Sequence, residues 1–240
     1  MEKKSKSPTK RERERALRAV EVLKERYPEA ICSLEAEGDP WRLLVMGRLS
    51  AQCTDARVNI VSKPLFEKYP DCNAMAEAEL SELEEAVKPC GLYKTKAASL
   101  KAACIMIRDE FGGRIPDEME ELLRLPGIGR KIANLLLGDI YGKGGIVADT
   151  HCIRICGRLG FYDEERKDPV YTERIMDPLI PKEEQSDFCH RLVLFGRDIC
   201  TARSPRCEEC PMGDICTHRS GKTRGRGDKN EKTPLTNREK

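Results

Sequence analysis

Apolar residues recur at helical spacing along most of this chain, and no segment alternates as a half-buried strand would. Leu17, Val20 and Leu23 form the first stripe, after a capping-box pattern of Thr9 and Glu12. The spacing predicts further helices over 41–49, 58–66, 73–88, 95–110, 117–125, 130–140, 150–159, 170–178 and 184–196. We therefore predict an all-α fold.

A run of turn residues separates two of these predicted helices. Pro126 removes a backbone donor, and Gly127 and Gly129 permit positive φ, so the chain folds back sharply before a helix begins near Arg130. Free N–H groups at that helix N-terminus form an anion site, on which a phosphate can rest directly. The alternative is a simple helix–helix connection in which the glycines are only caps.

Two ionisable residues near this turn are candidates for catalysis. Lys131 lies in the first turn of the second helix, whose field favours the free amine that a nucleophile requires. Asp149 follows an apolar run and could face Lys131 across a groove, stabilising a cation or moving protons. Each also has an ordinary interpretation. Lys131 could be a solvated lysine or a second phosphate contact, and Asp149 could be the N-cap of the helix beginning at Thr150.

Two other loops carry candidate nucleic-acid contacts. Gln52 lies in a run of small and polar residues, and its amide can both donate to and accept from base edges. Asp55, just after it, is a candidate N-cap for the following helix. Leu92 is flanked by turn residues, so it is either an exposed tip that wedges into a base stack or a packing contact at a helix end.

Four of the twelve cysteines form a C-x6-C-x2-C-x5-C loop: Cys200, Cys207, Cys210 and Cys216. Thiolates this close require a metal ion or cluster. One winding loop suits a cubane iron–sulfur cluster, whereas structural zinc sites usually pair two short clips, of which only one is present. Arg203 and Arg206 could offset the cluster's charge or bind DNA phosphates. The other eight cysteines show no second ligand spacing and are expected to pack as apolar residues.

Composition and charge restrict the fold class, the cellular location and the kind of nucleic-acid surface that the chain can have. Charged residues are 35% and aromatic residues 5% of the chain, which favours a helical protein over a β-sandwich. No long apolar stretch or signal-peptide segment is present, so we expect a cytoplasmic protein. The net charge of +2 divides into +4 over 1–15, +5 over 219–240 and −7 over the body. A nucleic-acid surface must therefore be a local basic patch, to which the two tails, predicted to be disordered, could add.

Together these motifs resemble endonuclease III, a family of bifunctional DNA glycosylase/AP-lyases in the helix–hairpin–helix superfamily. Four motifs match in order over roughly residues 16–217: Ser50-Ala-Gln-Cys-Thr-Asp55, Gly91-Leu-Tyr93, Leu125-Pro-Gly-Ile-Gly-Arg-Lys131 with Ala148-Asp-Thr-His151, and the cysteine loop. The resemblance implies two helical domains with a DNA groove between them. One is a six-helix barrel over 34–145, and the other is an iron–sulfur domain over 16–33 and 146–217. Residues 1–15 and 218–240 would be basic tails.

The resemblance also implies base-excision repair of oxidised pyrimidines of the thymine glycol type in duplex DNA, by a monomer at the nucleoid with a [4Fe–4S] cluster on the four cysteines. Lys131 would attack the sugar C1′ with Asp149 as its carboxylate, and β-elimination would nick the strand 3′ to the abasic site. Gln52 and Leu92 would fill or wedge the gap left by the extruded nucleotide. The backbone-binding residues would be Pro126, Gly127, Gly129, Arg130, Arg203 and Arg206.

Three residues depart from the family pattern: Arg48 where an apolar residue is usual, Cys53 in place of Thr or Ala, and Gly157 in place of Asn. Because of these three differences, the sequence does not establish which damaged bases the protein prefers. Two other functions remain open at this point. A monofunctional mismatch glycosylase would carry Ser or Tyr at the position of Lys131, and a non-catalytic iron–sulfur protein would only bind DNA or carry electrons.

Overall fold

The computed structural model describes residues 7–221, and over that range the chain is helical with no β-strand. The helices of this range are α1 (Lys10–Arg26), α2 (Pro40–Leu49), α3 (Asp55–Lys68), α4 (Cys72–Glu77), α5 (Leu80–Val87), α6 (Tyr93–Phe111), α7 (Met119–Leu122), α8 (Arg130–Asp139), α9 (Thr150–Arg158), α10 (Pro169–Met176) and α11 (Gln185–Asp198). The predicted all-α fold is confirmed. No helix between residues 7 and 221 is long and apolar enough to cross a membrane.

The first helix begins where its capping pattern predicts. The Thr9 backbone N–H donates to Glu12 Oε2 at 2.7 Å, and the Glu12 N–H donates to Thr9 Oγ1 at 3.2 Å. This reciprocal capping box satisfies two donors that the helix itself cannot. The predicted amino-terminal tail of 1–15 is therefore too long, because the chain is helical from Lys10. The parts of the two tails at 1–6 and 222–240 lie outside the described residues.

Helices α2 to α8 form the first lobe. Its longest helix, α6, packs against α2, α4 and α5, and Leu100, Ala103 and Ile107 on α6 are fully buried. Six of these helices span six residues or more and α7 is a single turn, which agrees with a six-helix barrel.

Two helices differ from their predicted bounds. The predicted helix over 73–88 breaks at Ala78, whose ψ of 143° is extended and whose carbonyl accepts a hydrogen bond from Lys101 on α6. A tertiary contact thus overrides the local helical pattern. The predicted helix over 117–125 is reduced to α7, after which the N–H groups of Arg124 and Leu125 bond to carbonyls three residues earlier, as in turns, before the chain reaches Pro126.

Helices α1, α9, α10 and α11 form the second lobe. Helix α11 packs against α1 and α9, and its Phe188, Leu192 and Phe195 are buried. It also contacts α8 of the first lobe, so the two lobes meet along α8 and α11 beside a pocket that both of them line. The domain boundaries of 34–145, and of 16–33 with 146–217, stay a prediction.

Candidate active site

A pocket between the lobes holds both predicted catalytic side chains. Lys131 comes from the first turn of α8, and Asp149 is the residue before α9. Other residues lining the pocket come from the α1–α2 connection, α2, α3, α9 and α11, and they include Ile31, Cys32, Ser50, Cys53, Asp55, His151, His190 and Arg197. The fold therefore brings the two motif residues to one concave site from opposite lobes.

Lys131 is exposed at this pocket, and its amine forms no ion pair or hydrogen bond with the described residues. Its helix is seated tightly on α2, because a Cβ on Gly47 would lie only 3.1 Å from Ile132 Cγ2. Ala133 and Leu136 on the same helix are fully buried. A fixed helix thus presents the amine to the pocket, where it is available to react.

Asp149 has a structural role as well as a place in the pocket. It is the N-cap of α9, where Oδ1 accepts the backbone N–H of Cys152 at 2.7 Å. The predicted N-cap is thereby confirmed. The other carboxylate oxygen has no hydrogen-bond partner within the described chain, and the half-buried side chain lines the pocket with Lys131. Capping and catalysis are compatible roles, since the cap fixes the carboxylate in position.

His151 also lines the pocket, although the sequence did not single it out as a site residue. Burial lowers the pKa of His151, the Asp149 carboxylate opposes that shift, and the Lys131 ammonium adds to it. His151 therefore lies within the field of both predicted catalytic groups. The sequence feature that could have identified His151 is its position two residues after Asp149, which places it in the first turn of α9.

The turn before α8 has the geometry of a backbone anion site. Gly127 adopts a φ of +80°, and the Ile128 N–H closes the turn on the Leu125 carbonyl at 3.0 Å. The N–H groups of Gly127, Gly129 and Arg130 have no hydrogen-bond partner among residues 7–221. Free donors at the start of a helix favour binding of a phosphate. We call this turn, residues 126–130, the hairpin.

Side chains from α2 and α6 support the hairpin from below. A Cβ on Gly127 would lie 2.6 Å from Arg48 Nε and 2.8 Å from Ser99 Oγ. Arg48 Nε donates to Ser99 Oγ at 2.8 Å, so this departure from the family pattern places a guanidinium directly under the turn. On the outer side, Arg130 forms a two-point ion pair with Glu173 of α10, with Nε 2.8 Å from Oε2. A DNA phosphate would compete with that carboxylate for Arg130.

Gln52 and Leu92 are exposed at loop tips in left-handed backbone conformations, with φ of +54° and +47°. Such conformations cost a non-glycine residue about 1–2 kcal/mol and persist only when the surroundings impose them. Beneath both loops lies Lys96, which is fully buried, with its Nζ 2.8 Å from the carbonyl oxygens of Leu49 and Cys90. Burial lowers the pKa of Lys96. Leu92 is thus an exposed apolar tip, and Lys96 is a supporting residue that the sequence did not indicate.

The cap of α3 differs from the prediction. Thr54 Oγ1, and not Asp55, accepts the N–H of Arg57, at 3.3 Å. Asp55 is instead the first residue of α3, and its carboxylate lies 3.4 Å from the Arg197 guanidinium on α11. Because α3 and α11 belong to different lobes and both residues line the pocket, this ion pair joins the two lobes at the pocket wall.

The four cysteines of the C-terminal loop line one small cavity, and none of them is in a disulfide. Burial raises the pKa of the Cys210 and Cys216 thiols. Arg158 of α9 is buried beside them, with Nη1 3.4 Å from Cys200 Sγ and 2.7 Å from the Thr201 carbonyl oxygen. Four convergent thiols with a buried counter-charge fit the donor set of a cubane iron–sulfur cluster.

The two arginines of this loop differ in their surroundings. Both Arg203 and Arg206 are exposed. Arg206 is engaged within the protein, because its Nε lies 3.1 Å from the Asp198 carbonyl oxygen and its Nη1 lies 3.0 Å from Glu209 Oε2. Arg203 forms no ion pair with any residue that the structure describes, so its guanidinium is the more available to a phosphate.

Packing accounts for most cysteines outside the loop and for Gly157, whereas nothing in the structure explains Cys53. Of the eight cysteines outside the loop, six are buried as expected, whereas Cys32 and Cys53 are half-buried and line the pocket. A Cβ on Gly157 would lie 2.9 Å from Glu164 Cα, because the segment after α9 folds back over that helix. The glycine is therefore required by the close backbone approach at this position.

Two protein families match the sequence. The HhH-GPD superfamily of base excision DNA repair proteins matches residues 45–182, and the iron-sulfur binding domain of endonuclease III matches residues 200–216. The second match includes all four loop cysteines. Endonuclease III of Synechocystis sp. is 42% identical over 205 residues, which are 85% of this chain and 92% of that protein. Endonuclease III of Bacillus subtilis is 40% identical over 82% of this chain and 89% of its own length.

Solved structures agree with these matches. A trapped covalent intermediate of endonuclease III with DNA and a non-covalent endonuclease III–DNA complex each superpose with a TM-score of 0.81 at 37% identity, covering 88% of this chain and 98% of theirs. A thermostable thymine-DNA glycosylase superposes with a TM-score of 0.78 at 23% identity, which shows a shared fold alone. The two-lobed helical fold expected from the resemblance is confirmed.

Proposed function

This chain belongs to the endonuclease III family of base-excision repair proteins, and from that premise we propose the roles of its site residues. The protein is a DNA glycosylase and AP-lyase that carries a [4Fe–4S] cluster. We propose Lys131 and Asp149 as its catalytic pair and oxidised pyrimidines of the thymine glycol type in duplex DNA as its substrates. The observation that carries this assignment is that an unpaired lysine and an anchored carboxylate, supplied by different lobes, line one pocket.

Each step of the proposed reaction uses a group described above. The damaged nucleotide is extruded into the pocket, and the Lys131 amine attacks C1′ as the glycosidic bond breaks. The free oxygen of Asp149 stabilises positive charge on the sugar. The sugar ring then opens, with O4′ leaving C1′ as a hydroxyl, to give an imine between C1′ and the lysine nitrogen. This imine acidifies the C2′ proton, and loss of that proton with departure of the 3′ phosphate breaks the strand by β-elimination. The [4Fe–4S] cluster has a structural role in this scheme, because it shapes the loop that carries Arg203.

The proposed DNA contacts fall into two groups. Gln52 and Leu92 enter the duplex and occupy the gap left by the extruded nucleotide, a role supported by their exposed, left-handed loop tips. The phosphate contacts are proposed at the hairpin and the cluster loop, namely at Pro126, Gly127, Gly129, Arg130, Arg203 and Arg206. We also propose that the protein acts as a monomer, which is supported by a pocket whose walls one chain supplies, and that it acts at the nucleoid, where a DNA substrate lies.

Borohydride trapping on a duplex with one thymine glycol tests the proposal directly. Cluster-replete parent protein should form a covalent protein–DNA band, because borohydride reduces the imine to a stable amine. Lys131→Ala and Lys131→Gln should give no band while retaining DNA affinity. Lys143→Ala is the matched control, since Lys143 is an exposed lysine whose partners are Asp117 and Glu118, away from the pocket.

Each alternative outcome identifies a different enzyme. If the parent gave no band and breaks appeared only after alkaline treatment, the protein would be a monofunctional glycosylase. If neither band nor base release appeared, it would be a non-catalytic iron–sulfur DNA-binding protein. If Lys131→Gln still formed the band, another amine would be the nucleophile and the assignment of Lys131 would be wrong.

A further inference from the structure

A second group of reactive side chains lies at the same pocket and takes no part in the proposed reaction. Cys32 Sγ, an Asp139 carboxylate oxygen and a His190 ring nitrogen all lie within 4.8 Å of one another. The three residues come from separate elements, because Cys32 is in the α1–α2 connection, Asp139 ends α8 and His190 lies on α11. All three are half-buried, and Cys32 and His190 line the pocket that Lys131 also lines.

The α8–α11 contact brings this group together. A Cβ on Gly138 would lie 3.0 Å from Ser186 Cβ, so the two helices approach closely at this point. His190 Nε2 consequently lies 2.9 Å and 3.0 Å from the two oxygens of Asp139. Ser186 Oγ also donates to Asp139 Oδ1. The hydrogen-bonded serine orients the carboxylate, as residues behind metal ligands commonly do.

The position of Asp139 favours a cation beside it. A carboxylate at the last residue of a helix faces the negative end of the helix dipole, which is an unfavourable placement without a positive partner. No Lys or Arg forms an ion pair with Asp139 within residues 7–221, where its carboxylate instead contacts the His190 ring and the Ser186 hydroxyl. The Cys32 sulfur adds a second potential anion to the group. Two potential anions next to a helix carboxyl end form a site that a divalent cation would neutralise.

We propose that Cys32, Asp139 and His190 bind a divalent transition metal ion, for which Zn²⁺ is the best chemical match. Thiolate, imidazole and carboxylate are the three ligand types that proteins offer to zinc. Three protein ligands would leave a fourth position for water or another ligand, and two of the three residues, Cys32 and His190, line the pocket. The site is separate from the cluster loop and shares none of its cysteines.

Metal binding at this site has a defined proton balance. The Cys32 thiol must lose its proton to become a ligand, and His190 must present an unprotonated ring nitrogen to the metal. At least one proton, that of the Cys32 thiol, is therefore released for each metal ion bound. Burial raises the pKa of the Cys32 thiol to about 12 in the metal-free protein, so the metal competes with a tightly held proton. Apparent affinity should accordingly rise with pH across the neutral range.

Cobalt titration of the cluster-replete protein tests the proposal without DNA, so its result does not depend on the proposed function. The parent should bind one equivalent of Co²⁺ and gain a thiolate-to-cobalt absorption band in the difference spectrum, with its iron content unchanged. Zn²⁺ should displace the cobalt and remove the band. Calorimetry in two buffers of different ionisation enthalpy should report at least one proton released for each metal ion bound.

Single substitutions locate the site. Cys32→Ser should remove the charge-transfer band and the stoichiometric binding, and His190→Ala should weaken binding at least tenfold. Cys53→Ser is the matched control, because Cys53 is the other half-buried cysteine of the same pocket and is outside the group of three. A band that survives in Cys32→Ser, or that disappears in Cys53→Ser, would overturn the assignment. Absence of stoichiometric binding by the parent would show that the three residues form only a hydrogen-bond network.

Discussion

Substitution of Asp149 by Asn and by Ala separates the two roles of this residue. The Asp149 carboxylate caps α9 through the Cys152 N–H at 2.7 Å and lines the pocket with Lys131. Asparagine retains an oxygen that can accept the same hydrogen bond and is as good an N-cap as aspartate. Alanine removes both the cap and the charge. The stability of the two variants should therefore differ, whereas their chemistry should fail alike.

The expected stability losses follow from the capping geometry. Asp149→Asn loses only the attraction between the carboxylate and the helix dipole, about 0.3–1 kcal/mol. Asp149→Ala also loses the capping hydrogen bond, a further cost of about 1 kcal/mol. For a chain of this length that additional loss lowers Tm by about 2–4 °C. Thermal unfolding of cluster-replete proteins, measured side by side in one buffer, resolves a difference of this size.

Base excision should respond differently from stability. Neither substitution leaves an anion at the pocket, so both variants should lose about 10²–10³-fold in the single-turnover rate of glycosidic cleavage, the loss typical when one electrostatic stabiliser is removed. The rate is measured with enzyme in excess over a thymine glycol duplex, well below both Tm values. If Asp149→Asn kept nearly the parent rate while Asp149→Ala lost it, activity would follow the helix cap. The catalytic role of the carboxylate would then be refuted.

Three further predictions follow from backbone contacts and burial. Gly127→Ala should weaken DNA binding at least tenfold in a gel-shift titration, since the left-handed conformation alone costs about 1–2 kcal/mol, and an unchanged Kd would contradict the argument. Gly157→Asn should lower Tm because a Cβ would meet Glu164 Cα at 2.9 Å, and an unchanged Tm would show that the loop yields freely. Burial lowers the pKa of His151, so the unfolded state binds more protons and stability falls as pH drops through about 6.5. The slope of unfolding free energy against pH between about 7 and 5.5 should be shallower in His151→Gln, and an equal slope would contradict the argument.

The parts of the site that local patterns encode could be predicted, and those that arise from tertiary contacts could not. Pro126 and the following glycines mark the hairpin because their backbone preferences are local, and Asp149 marks a helix start for the same reason. The helix expected over 73–88 is broken at Ala78, whose carbonyl accepts a hydrogen bond from Lys101 of a different helix. Likewise, nothing near Lys96 in the sequence indicates that its ammonium group is buried. A lysine at a helix position is ordinarily solvated, and only the assembled lobe removes this one from water.

The group formed by Cys32, Asp139 and His190 could not be predicted from the sequence, again because it depends on tertiary contacts. These residues lie in three segments of the chain, and their proximity depends on the close approach of α8 to α11. The cysteine loop is the opposite case. Its four ligands lie in one short segment, so spacing alone indicated a cluster before any fold was known.

The burial of Lys96 has a mechanical consequence for lesion search. One ammonium group holds the backbone carbonyls of Leu49 and Cys90, which precede the tips at Gln52 and Leu92. Both loops are therefore tied to one buried group, and the free energy of holding the tips in left-handed conformations is met during folding of the protein. No loop ordering has to accompany each encounter with the duplex. In the role proposed for Gln52 and Leu92, the enzyme would test each base pair with a probe already in its final shape, so that the response of the DNA decides the outcome.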